Sequence, residues 1–142
     1  MQAMVEHAGG TLSLLATPAH GKTAAVRVTG GDLLAGMPPE FIAGRYHSLH
    51  TTPDRVGAGL TVTAVTAMGD DDADRRRADG EPTSATEARQ EIVMAIENPA
   101  AGRWGVQFHP ESILTSSGDV GAAIIANVLR LCRARARIAS PR

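Results

Sequence analysis

The chain has 142 residues, of which 43% are hydrophobic and only 3% aromatic, and its formal net charge is -1. This length predicts one domain, or most of one, with an aliphatic core, and the near-neutral charge gives no reason to expect a nucleic acid or a membrane as a partner. No apolar run approaches the roughly 20 residues that a membrane-spanning helix needs, the first residues lack the layout of a signal peptide, and the single cysteine excludes an internal disulfide. We therefore expect a cytoplasmic protein.

The spacing of apolar and turn-forming residues predicts short strands with a helix at either end. In chain order, the predicted elements are a helix that stops at Gly9 and Gly10, a strand over 11–16, a loop over 17–22, a partner strand over 24–28, a helical turn over 33–39, strands over 41–46, 60–65, 91–97 and 104–108, and a closing helix from about 118 to 135. The apolar face of the closing helix is formed by Val120, Ile124, Val128 and Leu131. Together these elements predict an α/β sandwich that lacks its first units.

The segment between the strands at 60–65 and 91–97 has a different composition. It contains a run of aspartates followed by three arginines, and it has almost no large apolar side chains. Such a cluster could hold a metal or a phosphate, but it lacks the spaced ligands of a calcium loop. We therefore expect residues 68–90 to form a flexible insertion at a hairpin tip. Among the five histidines only His47 and His50 form a weak pair, so we expect no metal in this chain.

A histidine and a glutamate two positions apart lie just after the predicted strand at 104–108. Pro110 cannot continue the strand as a hydrogen-bond donor, so His109 lies at the strand's C-terminal end. Glu111 can return to the same side and orient the imidazole, as the base and the orienting group of a nucleophilic triad do. A lone histidine at a strand end is more often a surface or structural residue. The residues around this one decide between the two interpretations.

The octapeptide from Gly105 to Ser112, followed by Ile113-Leu114-Thr115, resembles the C-terminal motif of the class I glutamine amidotransferases. The resemblance is closest to the branch that serves anthranilate synthase and aminodeoxychorismate synthase. It implies that His109 and Glu111 complete a Cys-His-Glu triad that removes ammonia from glutamine. It also implies the C-terminal portion of a flavodoxin-like three-layer sandwich, with the first strands and the nucleophile elbow missing.

Other segments carry the same resemblance in the same order. Residues 44–49 resemble the family's second glutamine-site segment, which implies that the backbone of Ser48 and Leu49 contacts glutamine. Residues 20–22 resemble a loop that shapes the surface near a synthase partner. The first residues resemble the helix after the nucleophile elbow, so Gln2 would contact the substrate and the catalytic cysteine would lie three positions before Met1. The resemblance implies a partial amidotransferase domain over residues 1–136, followed by a tail at 137–142.

Cys132 is a poor replacement for that nucleophile, because it lies on the closing helix some twenty residues after His109. We expect it to be a small residue at the edge of the core.

The resemblance implies the glutaminase portion of anthranilate synthase, which supplies ammonia to a chorismate-using component that is fused or separate. A chain without the nucleophile is expected to be inactive alone. No cofactor is expected in this chain, and magnesium is expected only in the synthase partner. Two alternatives stay open: an amidotransferase part of an aminodeoxychorismate or phenazine-type synthase, and a non-catalytic module that binds glutamine.

Overall fold

The computed structural model describes residues 1–68, 90–115 and 117–139. Its helices and strands are α1 (Gln2–His7), β1 (Ser13–Val28), β2 (Glu40–His50), β3 (Thr61–Ala67), β4 (Glu91–Asn98), β5 (Arg103–Val106) and α2 (Val120–Ala139). Single 3-10 turns occur at Pro53–Arg55, Ile113–Thr115 and Ser117–Asp119. The predicted insertion over 68–90 lies outside the described residues except at its two ends.

The five strands form one sheet in the order β2-β1-β3-β4-β5, and every pairing is antiparallel. β2 is therefore one edge of the sheet and the short β5 is the other. The register of β1 with β2 runs from Ser13 opposite His50 to Arg27 opposite Glu40, with two shifts on the way. These two long strands carry much of the frame on which the candidate site is built.

The predicted loop over residues 17–22 is wrong. These residues belong to β1, which runs without a break across both predicted strands, and both parts pair with β2 rather than with each other. Pro18 and Gly21 fall where the register shifts, between Leu14 and Ala19 and between His20 and Lys22. A bulge can hold a proline or a glycine with positive φ without ending the strand, and Gly21 has a φ of 65°.

The other strand predictions are confirmed within a few residues. β2 continues through the predicted segment to His50, and β5 ends at Val106, two residues earlier than predicted. The opening helix ends at a glycine in the left-handed region, Gly9, whose φ is 77°. The N–H of Gly10 then bonds to the carbonyl of Val5 at 2.9 Å, which completes the helix end.

The two helices cover different cores. Side chains of α2 pack with Ile92 and Met94 of β4 in the larger core, whereas Val5 of α1 packs with Val93 and Ile96 in the smaller one. Because neighbouring side chains of a strand point to opposite faces, β4 lies between the two helices. This arrangement of helix, sheet and helix agrees with the predicted sandwich.

The amphipathic pattern of α2 is confirmed for three of its four predicted residues. Val120, Ile124 and Leu131 are buried, but Val128 is 42% exposed. Cys132, predicted at the core edge, is exposed as well. The helix extends to Ala139, four residues beyond the predicted end. No helix within the described ranges is both long enough and apolar enough to cross a membrane.

Candidate functional site

The turn from His109 to Thr115 is hydrogen-bonded to β2, an edge strand of the sheet. The N–H of His109 donates to the carbonyl of Gly44 at 3.1 Å. In the other direction, the N–H of Gly44 donates to the hydroxyl of Thr115 at 2.9 Å, and this hydroxyl donates to the carbonyl of His109 at 2.7 Å. Thr115 is completely buried. Its hydroxyl therefore joins the strand to the backbone of the candidate base.

Close packing requires a glycine at position 44. A Cβ there would lie 2.9 Å from the Cβ of Leu114 and 3.0 Å from the Oγ of Ser112. Any side chain would push the turn away from the strand edge and lengthen the bonds of Gly44 to His109 and Thr115. The glycine thus sets the distance between β2 and the turn.

The structure brings His109 and Glu111 together as the sequence predicts. Nδ1 of His109 lies 2.7 Å from Oε1 of Glu111, which is hydrogen-bonding distance. The hydrogen bond from His109, aided by the glutamate's own backbone N–H, holds the pKa of the Glu111 carboxyl below its usual range. The carboxylate therefore accepts the bond at neutral pH, and Nε2 is left as the ring nitrogen that can exchange a proton.

Two aromatic side chains extend the site toward the sheet. The rings of Tyr46 and His109 meet edge to face, with centroids 5.0 Å apart and planes at 77°. The ring of His20 makes a similar contact with Tyr46, with centroids 5.6 Å apart. The Tyr46 hydroxyl lies 3.3 Å from Oγ of Ser112. The imidazole thus contacts a ring that itself contacts His20 and Ser112.

A polar cavity of about 280 Å³ opens beside the imidazole. Its walls come from the start of α1, from β2, and from the end of β5 with the residues that follow; they are Met1, Gln2, Ala3, Tyr46, His47, Val106, Gln107 and His109. Gln2, predicted to contact glutamine, therefore lies in the same cavity as His109. A larger apolar groove of about 650 Å³ lies beyond Glu111. Glu111 and Asp119 are among the residues that line this groove, whereas His109 and Gln2 line the smaller cavity.

The other two predicted substrate residues lie next to the cavity rather than in its wall. Ser48 is exposed and lies opposite the register shift of β1. The carbonyl of Leu49 accepts a hydrogen bond from Nε2 of Gln107 at 3.1 Å and lies 2.9 Å from Nδ1 of His47. These contacts tie the end of β2 to two side chains of the cavity wall. The backbone of Ser48 and Leu49 thus remains a predicted, untested contact for glutamine.

The position of Gln2 depends on a close contact between α1 and β5. A Cβ on Gly105 would lie 3.0 Å from both the Cα of Met1 and the Sδ of Met4. The missing side chain lets the first turn of α1 lie against the strand that leads to His109. The glycine of the 105–112 motif therefore helps to bring the predicted substrate residue beside the imidazole.

Sequence reasoning missed several residues that build this site. Tyr46 and Thr115 lie inside the recognised motifs but received no role, and His20 was expected only to shape a surface. The available signal was the alternation of β2, which puts Gly44 and Tyr46 two apart on an edge strand. This alternation groups Gly44 and Tyr46 on one strand, but no local pattern shows that the two residues contact His109.

Comparisons with known proteins show what the chain is similar to. Residues 1–129 match a family model described as glutamine amidotransferase class-I. The chain is 43% identical over 129 residues to a protein named anthranilate synthase from Azospirillum brasilense, covering 91% of this chain and 15% of that protein. It is 36% identical over 124 residues to anthranilate synthase component 2 from Mycobacterium tuberculosis, covering 87% of this chain and 43% of that protein. The chain thus spans less than half the length of either relative.

A solved structure has the same fold. A GMP synthase subunit from Thermoplasma acidophilum superposes with a TM-score of 0.70 at 20% identity, over 96% of this chain and 55% of that one. At this level of identity the likeness concerns the fold alone.

Proposed function

The chain belongs to the class I glutamine amidotransferase family, and on that premise we propose that it supplies the base, the orienting carboxylate and part of the glutamine pocket of an anthranilate synthase. The observation that carries this proposal is the 2.7 Å contact between His109 and Glu111 beside a cavity that also holds Gln2. The ammonia released would pass to a chorismate-using synthase component, fused or separate.

We infer a role for each member of the pair. Glu111 engages Nδ1 of His109, so Nε2 takes the proton of a cysteine thiol as the thiolate attacks the side-chain carbonyl of glutamine. The same nitrogen then returns a proton to the departing ammonia, and water releases glutamate from the thioester. Glu111 fixes the tautomer of the ring and favours its charged form, which is what the third member of a triad does.

The attacking thiol is not assigned to Cys132. That residue is exposed on α2 and is not part of the cavity wall. We expect the purified 142-residue chain to release no ammonia from glutamine, with or without Cys132→Ala. Ammonia release that depends on Cys132 would contradict this assignment.

The choice of anthranilate as product rests on the relatives. The Azospirillum and Mycobacterium proteins are named anthranilate synthase or its component 2, and a Bacillus subtilis relative at 32% identity is named aminodeoxychorismate/anthranilate synthase component 2. Because the last name includes aminodeoxychorismate, formation of that product is one outcome of the test below, but the product that we propose is anthranilate.

A chimeric enzyme tests the proposed function. The segment of the Azospirillum brasilense protein that aligns with this chain is replaced by this chain's residues, and anthranilate formation from chorismate is measured with either glutamine or ammonium as the nitrogen source. We expect activity with both. Activity with ammonium but not with glutamine would contradict the proposal, because it shows a folded synthase without a working glutaminase. If glutamine-dependent activity appears only when the chimera is built on an aminodeoxychorismate synthase, the alternative product is favoured.

A further inference from the structure

We propose that Tyr46 is a positioning residue that holds the imidazole of His109 in its working orientation. The inference rests on the proposed function, because it assigns a role in the same reaction. It comes from a juxtaposition that the motif itself does not predict: the edge-to-face contact between the rings of Tyr46 and His109 at 5.0 Å.

The bond to Glu111 alone restrains the imidazole poorly. The side chain of Glu111 is 74% exposed and that of His109 is 43% exposed. An exposed carboxylate on a flexible stem is a weak restraint, so one hydrogen bond to it selects the ring nitrogen that is engaged but limits rotation of the ring only weakly. A second, stiffer contact is needed to fix where Nε2 points.

Tyr46 provides that stiffness because both its ring and its hydroxyl have a further contact. His20, its direct partner in the register between β1 and β2, packs against its ring at 5.6 Å. Its hydroxyl lies 3.3 Å from Oγ of Ser112, and the same Oγ accepts the N–H of Leu114 at 3.2 Å. The ring is thus fixed by a neighbouring strand and by the turn that carries His109.

The backbone and the side chain of His109 are held by different residues. Gly44 and Thr115 bond to the backbone of His109, whereas Tyr46, two residues after Gly44 on β2, contacts its ring. Successive same-face residues of one edge strand therefore hold the main chain and the imidazole.

Two substitutions separate the ring contact from the hydroxyl. Tyr46→Phe keeps the aromatic face and loses only the interaction with Ser112, whereas Tyr46→Leu loses the face. His20→Ala removes the outer ring only. In the 142-residue chain, NMR couplings and ring-to-ring NOEs should show one His109 rotamer in the parent and in Tyr46→Phe, and rotamer averaging in Tyr46→Leu. His20→Ala should give a smaller change than Tyr46→Leu.

The chimeric enzyme adds the kinetic readout. In Tyr46→Leu we expect glutamine-dependent kcat to fall by about tenfold to a hundredfold, as a misplaced catalytic group does. KM should change less than kcat, although Tyr46 also lines the cavity, and the ammonium-dependent rate should stay the same. Tyr46→Phe should restore most of the kcat. An increase in KM at unchanged kcat would overturn the proposal, because Tyr46 would then act by contacting glutamine.

The outcomes also separate this inference from the proposed function. A parent chimera that uses ammonium but not glutamine contradicts the proposed function, and the His109 rotamer in the 142-residue chain still decides the role of Tyr46. A single His109 rotamer in Tyr46→Leu, in a chain whose amide spectrum remains folded, overturns the inference even if the chimera is active.

Discussion

The turn over His109–Thr115 and the helix α2 follow each other in the chain but are held in different ways. The turn is fastened by hydrogen bonds to one edge strand, through Gly44 and Thr115. α2 packs apolar side chains such as Ile124 and Leu131 into the larger core, and its hydrogen bonds to the rest of the described chain come from side chains such as Asn127 rather than from its backbone. Directional bonds fix a catalytic group to within a fraction of an ångström, whereas apolar packing fixes an element and tolerates variation on its outer face.

The largest effect on the free energy of unfolding should come from the apolar packing of α2. Ile124 is buried, and the next residue, Ile125, is 62% exposed. Ile124→Ala should lower the free energy of unfolding by about 2–5 kcal/mol, because it leaves a cavity in the core. Ile125→Ala is the matched control and should change it by less than about 0.5 kcal/mol. Equal effects in urea unfolding would show that α2 is not held by its buried apolar face.

A smaller effect on the free energy of unfolding is expected from the hydrogen bonds of the turn. Thr115→Val keeps the shape of the buried side chain but removes the hydroxyl that joins Gly44 to His109. The buried N–H of Gly44 then has no acceptor there, which should cost about 1–3 kcal/mol. Thr115→Ser retains the hydroxyl and should recover the part of the loss that comes from the bonds. If Ser and Val variants unfold at the same urea concentration, the hydroxyl does not support the turn.

The smallest effect concerns the exposed carboxylate. The pKa of Glu111 is lowered by its bond to His109, so this bond stabilises the folded chain above the carboxyl's ordinary pKa. Its contribution is lost as the pH falls through the lowered pKa. His109→Ala should bring the pKa of Glu111 back toward its ordinary value. The carboxyl carbon resonance, followed by NMR against pH, measures this shift, and an unchanged midpoint would show that the bond to His109 does not lower the pKa.

The same contrast explains how far the sequence could predict the structure. The helix α2 and the strand β4 were predictable because apolar spacing reports burial directly, and only Val128 departs from the pattern. The loop at residues 17–22 was predicted wrongly because Pro18 and Gly21 usually end a strand, whereas in this fold β2 supplies a long partner and the register shifts to accommodate them.

The candidate site was predictable in part for a related reason. His109 and Glu111 are two residues apart, so a local motif contains their contact. The contacts of His109 with Gly44 and Tyr46 join residues more than sixty positions apart. They form only because the fold brings β2 beside the turn. A single sequence shows such residues as part of a motif but does not show which residues they contact.

The most direct test of the central claim is the effect of His109→Gln on the chimeric anthranilate synthase. The claim predicts that glutamine-dependent anthranilate formation falls by about a thousandfold or more, as expected when a triad loses its base, while the ammonium-dependent rate stays the same. A glutamine-dependent rate that remains close to that of the parent, with the ammonium-dependent rate intact, would show that His109 is not the base and would contradict the claim.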